Sequence, residues 1–237
     1  LEKLLAYPYQ PIQMTLWQEL CQQRKNSYPF TFDRENTDEI KPQRLIEKIG
    51  EMTKGQAYVA TDVGQHQMWV AQYYPFNFGR QIITSGGLGT MGYGIPAGIG
   101  VQFAHPDKEV IVFVGDGGFQ MTNQELAILN EFQLNVKFIL INNSSLGMVR
   151  QWQESFHGNR RSASVFTNHP DFIKLAEAYG IKGTKLSNPA TFEAELEEAF
   201  TYKGPQLIEV VVSSSEHVLP MIPSGMPNHK MIGVKGQ

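Results

Sequence analysis

Short, nearly continuous apolar runs recur along this chain, at 57–61, 81–84, 109–114, 136–141 and 206–212, with a weaker one at 182–185. Such runs, rich in Val and Ile and bounded by Gly, Asn or Asp, predict strands buried on both faces. Between them the apolar positions change to a helical period. Pro42 opens a helix over 43–54, where Leu45, Ile46, Ile49 and Met52 share one face and Gly55 ends it. Further helices are predicted at 95–103, 123–132, 148–156, 171–179 and 191–201. The helix at 95–103 is built of small residues and must pack closely on something. Strands alternating with helices predict an α/β fold, a parallel sheet flanked by helices on both faces. Ligands of such folds gather beyond the carboxyl ends of the strands.

The ends of the chain break the pattern. Residues 1–41 mix Pro, Tyr and Gln around one short helical stretch near 15–25, as a linker or the tail of a preceding domain would. Residues 42–215 form the predicted domain, and 216–237, with its Pro and Gly, an extended tail that could close over a site. The chain starts at Leu1, which predicts a piece of a longer or processed protein.

Composition narrows the function. The 237 residues are 41% hydrophobic, enough for a real core, so global disorder is excluded. Twenty Lys and Arg face 23 Asp and Glu, with no run of like charge, so no nucleic-acid partner is expected. No apolar stretch has membrane-spanning length and no signal peptide pattern opens the chain, so no membrane partner is expected either. Cys21 is the one cysteine, which excludes an intrachain disulfide and a thiolate cluster. A reducing, cytoplasmic setting is the simple inference.

Three predicted strands run into polar turns: Asp62-Val63-Gly64-Gln65-His66, Gly115-Asp116-Gly117-Gly118 and Asn142-Asn143-Ser144-Ser145-Leu146-Gly147. In a parallel sheet these turns share one edge. The Asp116 carboxylate and the Asn143 amide oxygen are hard oxygen ligands, separated by one helix and one strand. With a backbone carbonyl and phosphate oxygens they suit Mg²⁺. The flanking glycines let phosphate oxygens approach backbone N–H groups. A rival motif, Gly87-Leu88-Gly89-Thr90-Met91-Gly92, fits the dinucleotide fingerprint G-x-G-x-x-G. The acidic residue that fingerprint needs at a following strand end is out of place. Asp107 precedes its strand, and Asp116 lies between glycines.

Gly115-Asp116-Gly117 followed by Asn142-Asn143 resembles the thiamine diphosphate (ThDP) binding motif. Gly64-Gln65-His66-Gln67-Met68-Trp69, Ser85-Gly86-Gly87-Leu88-Gly89-Thr90-Met91-Gly92 and Leu146-Gly147-Met148-Val149-Arg150-Gln151-Trp152 resemble the catalytic subunit of acetohydroxyacid synthases (acetolactate synthases). The resemblance runs from about Pro42 to the end. It implies Mg²⁺ ligation by Asp116, Asn143 and the main-chain carbonyl of Ser145. It implies diphosphate contacts at Gln65, His66, Gly117 and Gly118, the last through backbone only. Gly89 would receive the pyrimidine amine on its carbonyl, and Met91 would line the pyrimidine pocket. Met148 would hold the cofactor bent, with Leu146 and Gly147 in the same cofactor-binding set. Met148 and Trp152, one helical turn apart, would face the substrate, and Trp152 matches a position associated with 2-ketobutyrate as acceptor.

The family's activity is condensation of pyruvate with pyruvate or 2-ketobutyrate, with loss of CO₂, on the route to branched-chain amino acids. The resemblance also implies FAD in the full-length enzyme, a homodimer or homotetramer, a possible small regulatory subunit, and a bacterial cytoplasm or a plastid stroma. The family's activating Glu lies in an N-terminal domain and has no counterpart here. The chain is therefore expected to be the diphosphate-binding third of the enzyme and to be inactive alone. Two alternatives stay open: another ThDP-dependent 2-oxoacid decarboxylase or oxidase, and a non-catalytic cofactor-binding module.

Overall fold

The computed structural model describes Glu2 and residues 14–233. It divides into two compact units, Phe32–Val218 and a second formed by Leu1–Thr31 with Leu219–Gln237. In the second, helix α1 (Thr15–Ser27) buries none of its residues. The Met221 and Ile232 backbones there exchange two hydrogen bonds, of 3.0 and 2.8 Å.

The larger unit is a six-stranded sheet in the order β2-β1-β3-β4-β6-β5. Its strands are β1 (Tyr58–Thr61), β2 (Ile82–Thr84), β3 (Val110–Gly115), β4 (Val136–Asn142), β5 (Lys182–Leu186) and β6 (Gln206–Val211). Every neighbouring pair is parallel. The helices are α2 (Pro42–Met52), α3 (Gln65–Tyr73), α4 (Gly94–Ala104), α5 (Asp116–Thr122), α6 (Ala127–Glu131), α7 (Gly147–Phe156), α8 (Phe172–Ala178) and α9 (Phe192–Thr201).

The strands' period of two sends alternate residues to opposite faces. Val59, Ile111, Phe113, Ile139, Ile141, Ile208 and Val210 pack with Leu45 and Ile49 of α2, Trp69 and Val70 of α3, and Leu196 of α9. Ala60, Val110, Val112, Val114, Phe138, Leu140 and Leu207 pack with Ile95 of α4, Phe119 of α5, Leu129 of α6 and Phe172 of α8. The expected sheet with helices on both faces is the observed one. The small residues of α4 also have their reason: a Cβ on Gly98 would lie 2.1 Å from Val112 Cγ2, so the helix rests directly on the sheet.

Three helical segments depart from expectation. Residues 65–73 form α3, although Gln-His-Gln carries no helix-start signal. The helix is entered through Gly64 at φ 146°, a backbone conformation closed to side-chain-bearing residues. Gly115-Asp116-Gly117-Gly118 is not a free turn, because Gly115 ends β3 and α5 starts at Asp116 with no intervening loop. The predicted helix 123–132 is split into a 3₁₀ turn (Asn123–Leu126) followed by α6.

The sheet order fixes where a ligand can sit. From β1 the chain runs outward to β2 on one side and to β3 on the other, so the crevice between β1 and β3 is a topological switch point. Thr61 is in register with Phe113, and Gly115 with Ile141. Asp62, Asp116 and Asn143 therefore leave their strands at one edge.

Candidate functional site

Beyond that edge lies a cavity of about 270 Å³. Its walls come from Val63–Trp69, Gly89, Met91, Gly115–Gly118, Ile141, Asn143 and Ser145–Val149. Gln65, His66, Gly89, Met91, Asp116, Gly117, Gly118, Asn143, Ser145, Leu146, Gly147 and Met148 are thus brought together from four separate stretches of chain. Trp152 is not among them. It borders a neighbouring groove with Met148, Val149, Gln153, His157 and Arg160, so Met148 faces both spaces and Trp152 only the outer one.

Asp116 is buried, 1% exposed. Its Oδ1 accepts from the Gly117 N–H at 2.9 Å and its Oδ2 from the Ser145 N–H at 3.1 Å. Burial nevertheless pushes the carboxyl up to about 7, with those N–H donors pulling the other way. Asn143 directs Oδ1 to the same Ser145 N–H, 3.2 Å away, and its Nδ2 donates to Gln65 Oε1 at 3.1 Å. Two hard oxygens are therefore brought together on one N–H. The local backbone is bent to allow this. Ser144 stands at φ 54°, a conformation costing about 1 kcal/mol or more for a non-glycine residue. Its N–H is held by Asn142 Oδ1 at 3.0 Å. A Cβ on Gly147 would fall 2.0 Å from Gln65 Oε1 and 2.7 Å from Asn143 Nδ2, so a side chain here would push both amides aside.

On the β1 side, His66 is buried and its Nε2 has no hydrogen-bond partner. Burial pushes its pKa down to about 4, against the opposing pull of Asp62, so the ring is neutral near pH 7. Asp62 Oδ2 accepts from the Gly94 N–H at 2.8 Å, while its Oδ1 is buried without a partner. A Cβ on Gly118 would lie 2.2 Å from that Oδ1.

Electrostatically the cavity is unusual for an anion site. None of the described residues lining it is Lys or Arg, and His66 is neutral. What favours negative charge is geometric: α3 and α7 begin at its wall, at Gln65 and Gly147, with their free N–H groups and positive dipole ends. A diphosphate here would need a cation as a bridge. Among the described residues no group of three His, Cys, Asp or Glu side chains could hold one. The mixed oxygen set fits instead. The Asp116 carboxylate, the Asn143 amide oxygen and a turn carbonyl suit a hard divalent ion that takes its remaining ligands from phosphate.

Three residues at the site have roles that the sequence did not indicate. His169 Nε2 lies 3.4 Å from Asp116 Oδ2. Its loop is drawn in by the antiparallel bridge Ser145–Val165. Gln151, fully buried, bonds Gln65 at 2.8 Å. Asp62 stands behind Gly118. Asp62 and Gln151 stand inside the motifs and His169 outside them, but each role arises from a tertiary contact that no spacing rule gives.

Residues 62–210 match the family described as thiamine pyrophosphate enzyme, C-terminal TPP binding domain. The chain belongs to this family. It is 60% identical over 218 residues to the acetolactate synthase large subunit of Lactococcus lactis, covering 92% of this chain and 38% of that protein. It is 46% identical over 222 residues to the acetolactate synthase large subunit of Haemophilus influenzae, covering 93% of this chain and 38% of that protein. It is 39% identical over 232 residues to the isozyme 2 large subunit of Escherichia coli, covering 98% of this chain and 42% of that protein. The chain thus spans about two fifths of the length of these curated relatives. The TPP-binding family gives the cavity its ligand class, and the resemblance to acetolactate synthase large subunits holds across nearly the whole chain. No helix of the described residues is long and apolar enough to cross a membrane.

Proposed function

We propose that this chain holds ThDP through Mg²⁺ and forms the diphosphate-binding part of an acetolactate-synthase-type carboligase that joins pyruvate to pyruvate or to 2-ketobutyrate with loss of CO₂. One observation carries the metal assignment. The cavity offers a diphosphate no Lys or Arg among its described residues, while Asp116 and Asn143 are brought together on the Ser145 N–H at its wall. Asp116, Asn143 and the Ser145 carbonyl hold the cation. Gln65, His66, Gly117 and Gly118 contact the diphosphate. Gly89, Met91 and Met148 shape the pocket around the rings, and Leu146 and Gly147 bring the α7 N-terminus to the phosphates. Met148 and Trp152, on one face of α7, border the substrate side. When bound, ThDP supplies the carbon nucleophile and the electron sink. The chain orients it and keeps water out.

Asp116 is the only carboxylate among the described cavity residues, and it is committed to the cation. The carboxylate that activates the cofactor therefore comes from elsewhere in the parent enzyme, as does most of the FAD site. The relatives named as large subunits support a smaller regulatory partner. The parent is proposed to be oligomeric and cytoplasmic.

Calorimetric titration with ThDP tests the reading. Saturable binding that requires Mg²⁺ and is lost in Asp116→Ala is expected. Equal binding without Mg²⁺, or by the Asp116→Ala chain, would overturn the metal assignment. The isolated chain should make no acetolactate from pyruvate, and robust turnover would sink the missing-carboxylate argument.

A further inference from the structure

A side-chain amide presents an acceptor at one end and a donor at the other, and only its surroundings decide which end faces where. For Asn143 the choice decides whether a cation meets an oxygen or an NH₂. Three amides form a row here, and the far end of the row is fixed by main chain. The Val218 N–H donates to Gln151 Oε1 at 2.8 Å, and Gln151 Nε2 donates to the Val218 carbonyl at 3.0 Å. A backbone N–H can only donate and a backbone carbonyl can only accept, so Gln151 has one permitted orientation. Its Oε1 then faces Gln65 and demands a donor. Gln65 supplies Nε2, at 2.8 Å, and the same Nε2 reaches the Glu216 carbonyl at 3.0 Å. Gln65 must therefore turn Oε1 toward Asn143, which answers with Nδ2 at 3.1 Å. The Asn143 Oδ1 is left facing Ser145, whose N–H Asp116 Oδ2 also accepts.

We infer that Gln151 is a positioning residue whose bidentate pairing with the Val218 backbone, acting through Gln65 together with the Glu216 carbonyl, sets the amide orientation that makes Asn143 a cation ligand. The inference rests on the proposed Mg²⁺ site. The Ser145 N–H, which is shared with Asp116 Oδ2, and the Ser145 hydroxyl, both 3.2 Å from Asn143 Oδ1, favour the same orientation from the other end of the amide. Gly147 leaves the space in which the Gln65–Asn143 bond forms. Gln151 itself is fully buried and is not among the residues lining the cavity, so it acts without touching the ligand.

The experiment is calorimetric titration of Mg²⁺ into the chain at saturating ThDP. Gln151→Met, which removes the acceptor facing Gln65, should weaken Mg²⁺ binding about tenfold, the lower end for groups that orient a metal ligand. Gln151→Glu keeps an acceptor facing both Gln65 and the Val218 N–H. It should hold Mg²⁺ affinity within about twofold of the parent, although it sets an oxygen against the Val218 carbonyl and lowers thermal stability. In an Asn143→Asp background both ends of the ligand are oxygens, so Gln151→Met should cost no further affinity. Should Gln151→Met fail to fold, the shorter Gln151→Asn is read in the same way. Unchanged Mg²⁺ affinity in Gln151→Met, or an equal loss in both backgrounds, overturns the relay. Asp116→Ala separates the two failures. If it abolishes Mg²⁺ binding while Gln151→Met does not weaken it, the relay alone fails. If Asp116→Ala also binds Mg²⁺ normally, the cation site itself fails.

Discussion

The two ends of the sheet use buried polar side chains in opposite ways. At the amino end they close loops. Gln81 Nε2 donates to the Gly55 and Ala57 carbonyls, both at 2.8 Å. Gln102 Nε2 reaches the carbonyls of His105, Pro106 and Lys108. Lys137 Nζ donates to the Tyr202 and Gly204 carbonyls at 2.7 and 2.9 Å and lies over the Tyr202 ring. Each binds two or more turn carbonyls. At the carboxyl end, Asp62 Oδ1 and His66 Nε2 are buried without partners, Asp116 is held near neutrality, and glycines keep space open. Burial alone does not distinguish a site from a scaffold. What distinguishes them is what the buried groups serve: at the amino end they bind turn carbonyls, and at the carboxyl end His66, Asp116 and Asn143 line a cavity.

This contrast can be broken by substitution. The largest expected effect is at Asp116. Asp116→Ala should weaken ThDP–Mg²⁺ binding by about 100-fold or more while the ligand-free chain unfolds no earlier, since a desolvated carboxyl has been removed. Calorimetry and thermal unfolding read the two halves of that statement. Lys137→Met is the mirror image. It strands two carbonyls and should destabilise the chain by about 2 kcal/mol in denaturant titration, with ligand binding unchanged. A chain in which Lys137→Met lost binding and kept stability would reverse the comparison.

Gly147→Ala comes next. Its Cβ would displace both Gln65 and Asn143. Binding should fall about tenfold, with a stability loss of about 1 kcal/mol or more from overpacking. Gly100, in α4, has nothing within 4 Å of the place a Cβ would take. Gly100→Ala should stabilise the chain by about 0.5 kcal/mol and leave binding alone.

The smallest effect is a pH dependence. Burial pushes Lys137 down from 10.5 to about 8. Between those values the unfolded chain holds a proton that the folded chain has released. Unfolding free energy therefore gains a positive slope with pH across that window. The slope should be present in thermal scans of the parent and smaller in Lys137→Met.

Much of the fold was legible in the sequence because both faces of the sheet are covered. Runs such as Val110–Val114 need no partner to be recognised as buried strands. The site motifs were legible because strand ends and glycines are local features. Helix α3 was not, because its start depends on one glycine conformation and its stability on packing Trp69 and Val70 against the sheet. Helix α5 was not, because Gly117 and Gly118 argue against a helix until β3 delivers Asp116 with its backbone already aligned. Gln151 stood inside a recognised motif, yet its role needs Val218, which lies far along the chain. His169 is a similar case.

The row of amides runs from Asn143 through Gln65 to Gln151 and Val218, and the compact unit ends at Val218. Ligand binding is therefore a report on the whole unit. A ligand held only by the assembled site adds about 2.7 kcal/mol to the folded state at one hundred times its dissociation constant. Because the row is anchored at the last residue of the unit, a nascent chain cannot collect that stabilisation until Val218 has been synthesised and has docked.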